Sequence, residues 1–239
     1  MGNRPDLSTD VAVLVPAAGS GSRLGGVPKQ FRKLGNRPLL HRTLETMCAV
    51  PEVALVVVAV PPESVDEVTA AIEPAGLHAV IVPGGTTRQD SVRRCLERVP
   101  PAVEVVLVHD AARPFIAVDD VQSVIAGVRG HGAAALAIPV SDTLRKVVGE
   151  NFGQTLPREG IYRMQTPQGF RADMFLEAHR WARDTGWLGT DDVDLVRARG
   201  HEVHVIHGRS TNFKITTADD WRLAERVWPN WVGSRSVGE

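Results

Sequence analysis

The chain is poor in the features that mark secreted, membrane or nucleic-acid-binding proteins. Only two cysteines occur in 239 residues, Cys48 and Cys95, each inside an apparent amphipathic helix. That excludes a disulfide framework and makes a reducing cytosol the simpler setting. No apolar run approaches membrane-spanning length, and the opening MGNRPDLSTD has no apolar signal-peptide core. The formal net charge of −1 lacks the basic excess of a dedicated nucleic-acid binder, so any electropositive surface must be local. His179, His201, His204 and His207 lack the helical H-E-x-x-H pattern, and no zinc site is read from them. The expectation is a soluble, cytoplasmic protein with neither a membrane nor a nucleic acid as partner.

What is present is organised around Val11 to Gln30, VAVLVPAAGSGSRLGGVPKQ. Val11 to Val15 is an unbroken apolar run, as expected of a parallel strand buried on both faces. Pro16 removes a backbone donor and ends it. Ala17, Ala18, Gly19, Ser20, Gly21 and Ser22 then form a loop of small residues that can wrap a polyphosphate with its backbone N–H groups. Arg23 and Lys29 add two positive charges. Pro28 discourages the helix that a dinucleotide-binding turn requires, and no Lys-Ser/Thr pair follows at P-loop spacing. A phosphate site is the reading; a surface turn with two solvated cations is the plainer alternative.

Further along, apolar strands alternate with helical periods. Expected strands are Ala54 to Val60, Ala79 to Val82, Val103 to Val108 and Ala133 to Val140. Expected helices are Pro38 to Ala49, Glu63 to Ile72, Arg88 to Val99 and Val118 to Val128. This predicts an α/β fold with a doubly wound, mostly parallel sheet, Rossmann-like in its winding. The rhythm breaks between residues 141 and 170, which are polar and without a helical period. Thr143 to Val148 and Gly160 to Gln165 are expected to pair as a protruding two-stranded β-arm, too small to be stable alone and suited to another subunit. An ordered loop folded back on its own domain is the alternative. Helices return at Ala172 to Thr185, Asp191 to Arg199 and Ala218 to Val227, with a strand at Val203 to Ile206 and a short extended piece at Asn212 to Ile215. One domain is expected, with loose ends at residues 1–10 and 229–239.

Ligands of such sheets bind beyond the carboxyl ends of the strands. Those ends carry the opening loop, Gly84-Gly85 with Ser91 behind it, His109-Asp110 with Arg113, and Ser141-Asp142-Thr143. The last short extended piece, Asn212 to Ile215, presents Lys214. No Ser sits on a G-x-S-x-G elbow, which disfavours an acyl-transfer triad at His109-Asp110. On the residues alone, Asp110 and Arg113 fit a structural ion pair as well as a ligand site, and Lys214 fits a solvated surface lysine.

The residues PAAGSGSRLGGVPKQF, GGTTRQDSV, VHDAARP, VSDTLRKV, QTPQGF, GTDD and GRSTNFKIT, in this order over roughly 11–228, resemble the 2-C-methyl-D-erythritol 4-phosphate cytidylyltransferases of the non-mevalonate isoprenoid pathway. The resemblance implies transfer of CMP from CTP to that polyol phosphate, with Mg²⁺ bound mainly through the CTP phosphates and no dedicated protein metal ligands. It implies that Arg23, Lys29, Arg158 and Lys214 are catalytic. Pro16, Ala17, Ala18, Gly19, Gly21, Gly85 and Ser91 would bind the nucleotide, and Asp110, Arg113, Thr143 and Thr166 the erythritol part. A homodimer through the β-arm is also implied. Two rivals are the same chemistry on another polyol phosphate, such as ribitol 5-phosphate, and a non-catalytic nucleotide-binding module.

Overall fold

The computed structural model describes residues 9–19 and 28–231. Strand β1, Val11–Pro16, is an interior strand of the main sheet, and Val11 to Val15 are all fully buried. Val11, Val13 and Val15 enter one apolar layer, Ala12 and Leu14 the layer on the opposite face. An unbroken apolar run is what a strand covered on both faces demands. A two-residue ribbon follows, β2 (Lys33–Leu34) with β3 (Arg37–Pro38), and then helix α1, Leu39–Cys48. Next come β4 (Val53–Val60), α2 (Val65–Ile72), β5 (Val80–Pro83), α3 (Arg88–Leu96) and β6 (Val105–Val108). The chain runs from β1 outward to β4 and β5, then returns to place β6 on the other side of β1. That reversal opens a crevice beyond the carboxyl ends of β1 and β6.

Helix α4, Val118–His131, leads into β7, Ala133–Pro139. The complete sheet has seven strands, its first two being the edge strand β11 (His204–His207) and β7. Then come β10 (Tyr162–Arg171), β6, β1, β4 and β5. Only β10 is antiparallel, to both β6 and β7. Helices α1, α2 and α4 cover one face. The other is covered by α3, α5 (Ala172–Thr185) and α6 (Asp192–Ala198). The doubly wound, mostly parallel sheet is as expected. Among the described residues no helix is long and apolar enough to cross a membrane.

The arm is present, but its pairing differs from the expectation. β8 (Leu144–Val148) pairs with β9 (Asn151–Leu156), not with Gly160 to Gln165. The reason is local: Gly149 has φ 62° and forms a two-residue turn with Glu150, so the chain reverses at once. Tyr162 onward belongs to the main sheet, where Tyr162 lies opposite Pro139 and Phe170 opposite Ala133. Thus β7 and β10 form a long hairpin whose tip carries the arm. A Cβ at Gly169 would meet Leu107, Val124 and Val128 at 2.7–2.8 Å, so only glycine lets α4 lie this close to β10.

Helix α7, Ala218–Val227, starts with a capping box between Thr217 and Asp220. It closes a third cluster containing Leu34, Phe115, Ile215 and Trp221. Trp231, expected in the loose tail, packs edge-on against Phe115 at 5.5 Å. The carboxylate of Asp10, at the other expected loose end, pairs with Arg129 at 2.6 Å. Asn212 to Ile215, expected as extended, forms no strand; the Ile215 N–H donates to the Ala112 carbonyl at 2.9 Å, docking the segment on the loop after β6.

Candidate active site

The crevice is a cleft of about 340 Å³. Its floor is the loop after β1, and Pro16, Ala17, Ala18 and Gly19 all line it. Gln30, which sequence reasoning missed, also lines the cleft and holds this loop: its amide donates to the carbonyls of Ala17 at 2.8 Å and Gly19 at 3.1 Å. Gly21 and Arg23 lie outside the described residues. Lys29 lines the cleft and donates to the Ile215 carbonyl at 3.0 Å, tying the start of the chain to the segment that bears Lys214.

The second wall is the turn before α3. Gly84 donates to the Val60 carbonyl at 2.7 Å, and Gly85 donates to Ser91 Oγ at 3.0 Å. The Ser91 hydroxyl donates in turn to the Thr87 carbonyl at 3.0 Å, so Ser91 shapes the turn on which Gly85 sits. Thr87 caps the helix by accepting from the Asp90 N–H at 3.0 Å. Gly85, Ser91 and the first residues of α3 all face the cleft, which turns the positive end of the helix toward it.

The third wall holds the charges. Asp110 follows β6 and is met by three cations. Lys214 Nζ lies 2.8 Å from Oδ2, Arg88 Nε 3.3 Å from Oδ1 and Arg113 Nε 3.6 Å from Oδ2. Burial alone would raise this carboxyl, but Arg88, Lys214 and Arg113 together hold it well below the usual carboxylate range. Arg88 also pairs with buried Asp192 at 2.7 Å, whose own carboxyl is pushed up by burial. Arg88 and Asp192 belong to motifs noted in the sequence, but no role is read for them there. Their pairing joins segments far apart in the chain, and no local spacing announces it.

Two expected substrate contacts stand behind this wall. Arg113 is nearly buried, and its guanidinium donates to the carbonyls of Asn212 at 2.8 Å and Met164 at 3.2 Å. Thr166 is also buried, and its Oγ accepts from the Asp110 N–H at 3.0 Å. Neither lines the cleft of the isolated chain. Their burial turns both side chains to protein partners. Thr143 and Arg158 flank the arm, are exposed, and take no part in this chain's cleft. Arg158 donates to the Ser141 carbonyl, bracing the base of the arm.

His109 is fully buried, and burial pushes its ring down to about 4. Its two nitrogens engage Thr166 and Arg113, so it has no part in a hydrolytic triad. The cleft therefore offers cations, a small-residue loop and a helix N-terminus, a set suited to holding phosphates while charge moves among their oxygens.

Comparison with known proteins gives the same answer from another direction. The family model for 2-C-methyl-D-erythritol 4-phosphate cytidylyltransferase, IspD, matches residues 11–229. The protein of that name from Salinibacter ruber is 50% identical over 223 residues, covering 92% of this chain and 94% of the relative. The crystal structure of the Thermus thermophilus enzyme matches with a TM-score of 0.78 at 43% identity, covering 91% of this chain and 98% of that one. A 4-diphosphocytidyl-2C-methyl-D-erythritol synthase from Anaerococcus prevotii matches with a TM-score of 0.81 at 27% identity, covering 94% and 100%. With its sheet, its small-residue loop and its cationic wall in these positions, the chain belongs to the 2-C-methyl-D-erythritol 4-phosphate cytidylyltransferase family.

Proposed function

We infer that the chain transfers the cytidylyl group of CTP to 2-C-methyl-D-erythritol 4-phosphate, giving 4-diphosphocytidyl-2-C-methyl-D-erythritol and pyrophosphate in isoprenoid precursor synthesis. The observation that carries this reading is the meeting, in one cleft, of the loop after β1, Lys29 and the Asp110–Lys214 pair. A phosphate oxygen of the polyol attacks the α-phosphorus, a new P–O bond forms, and the bond to the β-phosphate oxygen breaks with its electrons leaving on pyrophosphate. The attacking oxygen is already anionic, so no general base is needed. The barrier lies in bringing two anions together and in the charge that builds on the α-phosphate and leaving group.

Lys29 and Arg23 are assigned to that charge. Lys214 and Arg158 are assigned to the incoming polyol phosphate, and Asp110 to its hydroxyls. The N–H groups of Gly84 and Gly85 are engaged within the turn, so its carbonyls are assigned to the cytosine amino group. Magnesium is assigned to the substrate: both oxygens of Asp110, the carboxylate that lines the cleft, face cations. The ion is taken to arrive on the triphosphate oxygens.

Thr143 and Arg158 are assigned to the cleft of a second copy. The arm supports this through its apolar surface, with Val147 63%, Val148 71% and Phe152 82% exposed. Such side chains on a two-stranded ribbon call for a covering partner. A homodimer that exchanges arms would cover them and bring Arg158 to a neighbouring Lys214. The cytoplasm is the proposed compartment, where Cys48 and Cys95 stay as thiols.

Pyrophosphate release, followed with CTP and either methylerythritol phosphate or ribitol 5-phosphate, tests the whole reading. Turnover with the first substrate and little with the second is expected. Preference for ribitol 5-phosphate would move the enzyme to the neighbouring activity, and no release with either would leave a nucleotide-binding module.

A further inference from the structure

His109 is fully buried at the base of the charged wall. Its Nε2 lies 3.1 Å from the Arg113 carbonyl, and its Nδ1 lies 3.1 Å from Thr166 Oγ. The same Oγ is 3.0 Å from the Asp110 N–H. The directions of these bonds can be worked out. A peptide N–H can only donate, so Thr166 Oγ accepts from Asp110. A carbonyl can only accept, so Nε2 carries the proton that faces Arg113. The ring is neutral in its buried site, which leaves Nδ1 bare, and the Thr166 hydroxyl donates to it. The result is a closed series in which each donor meets one acceptor, running from the Asp110 peptide through Thr166 and His109 to the Arg113 carbonyl.

The series spans the two ends of the Asp110–Arg113 turn. The turn's own backbone bond, Arg113 N–H to the Asp110 carbonyl, is 3.0 Å long. Thr166 sits where the β10–β7 register shifts, between Met164 and Gln168, and such irregularities re-aim side chains beside active sites. His109 is itself anchored by its N–H to the Leu14 carbonyl at 2.9 Å, on the strand that feeds the phosphate loop. The ring therefore references the turn to two strands at once.

We propose that His109 is a positioning residue for the transfer: its ring, as the Nε2–H form, orients the Thr166 hydroxyl and the Arg113 carbonyl and so fixes the pose of Asp110 toward the polyol phosphate. This rests on the cytidylyl-transfer reading, which wild-type turnover checks independently. The group acts through its neighbours and touches no reacting atom.

His109→Asn retains a group for the Thr166 hydroxyl and loses the reach to Arg113; His109→Gln does the reverse. Both are expected to lower kcat/KM for the polyol phosphate by about tenfold to a hundredfold, the scale on which misplacement of a substrate-holding group acts, while KM for CTP stays within about twofold. Thr166→Val should reproduce the loss and Thr166→Ser should keep near-normal turnover. In the His109→Asn background Thr166→Val should add little, because both remove one series. Nitrogen-15 spectra of the histidine-labelled protein, ligand-free, should show His109 protonated at Nε2 and bare at Nδ1. The opposite tautomer, or equal rises in both KM values, would overturn the proposal. Should the His109 variants fail to fold, the tautomer and the Thr166 pair still decide it.

Discussion

Lys214 Nζ and Asp110 Oδ2 stand 2.8 Å apart at the edge of the cleft, with Lys214 still 39% exposed and Asp110 nearly covered. The lysine can therefore serve an arriving phosphate while the carboxylate keeps it in place. Lys214→Ala should lower kcat/KM for the polyol phosphate by about a hundredfold or more, the usual scale for losing one charge-stabilising donor. Melting should change little, because Arg88 and Arg113 remain on Asp110. Steady-state kinetics beside a thermal scan decides this.

Asp110→Asn should lower stability as well as activity. It leaves Arg88, Arg113 and Lys214 facing one another without their shared anion. A loss of roughly 3 kcal/mol is expected in denaturant titrations, partly recovered by added salt. The Asp110 carboxyl is depressed in the fold, so its contribution is complete above the unfolded carboxylate value and fades only as pH falls through the folded one. A rate profile that changes between about pH 5 and 8 must then come from another group. Equal stability of Asp110→Asn and the parent would contradict this account.

His109 and His179 give a pH signature of opposite origin. Burial pushes both rings down to about 4, from 6.5 in the unfolded chain. A lowered folded value means that the native state resists protonation which the unfolded chain accepts. Stability should therefore fall as pH drops from about 6.5 to 4, by up to about 1.4 kcal/mol per pH unit for each ring. His179→Leu should flatten the curve by one proton. Denaturant midpoints measured across that window check this, and a slope left unchanged by the substitution would show an error in placing His179.

Gly84 faces Ala18 at the wall of the cleft, and a Cβ at Gly84 would lie 2.1 Å from the Ala18 Cβ. Gly84→Ala should raise KM for CTP at least about tenfold by pushing the two walls apart, with a stability cost of about 1–3 kcal/mol. Ala18→Gly removes the obstructing atom; the remaining contacts, with Ser91 Oγ and the Val60 carbonyl, are both 3.2 Å and ask for shifts of only a few tenths of an ångström. The double variant should regain most of the affinity. Kinetics of the two single variants and the pair measure this directly.

Arm exchange makes a forecast for mixed dimers. Lys29→Ala and Arg158→Ala should each be inactive as homodimers. With crossed arms, one site of a mixed dimer collects both lesions and the other has neither. Equal mixing should restore roughly a quarter of wild-type sites, since about half the dimers are mixed and half of their sites are intact. Subunits that exchange without regaining activity would show that each arm serves its own chain.

The parts of the fold legible in the sequence are those where burial is apolar. β1, β6 and the buried stretches of β4 (residues 56–60) and β7 (residues 133–137) read as strands because both faces are covered and every position is hydrophobic. β10 does not read that way. Gln165, Thr166 and Gln168 are buried at 2–4% exposure, yet they are polar. Their partners are remote: the Arg209 carbonyl takes Gln165, the Asp110 N–H meets Thr166, and Asp191 and Asp192 meet Gln168. No local period encodes such matches, which is why the sequence alone sends this strand to the arm. The site is legible in its strand ends and motifs, which place Lys29, Asp110 and Lys214 on one cleft. The roles of Arg88, Asp192 and Gln30 are not, because each depends on a contact between distant segments.

The close approach of Gly84 and Ala18 also constrains descent. A lineage that first changes Gly84 meets a clash before any benefit, whereas one that first trims Ala18 to glycine leaves room for the second change. The order of substitution therefore matters. Resistance to an inhibitor that rests on this wall would carry its own cost if it began at Gly84, and would not if Ala18 changed first.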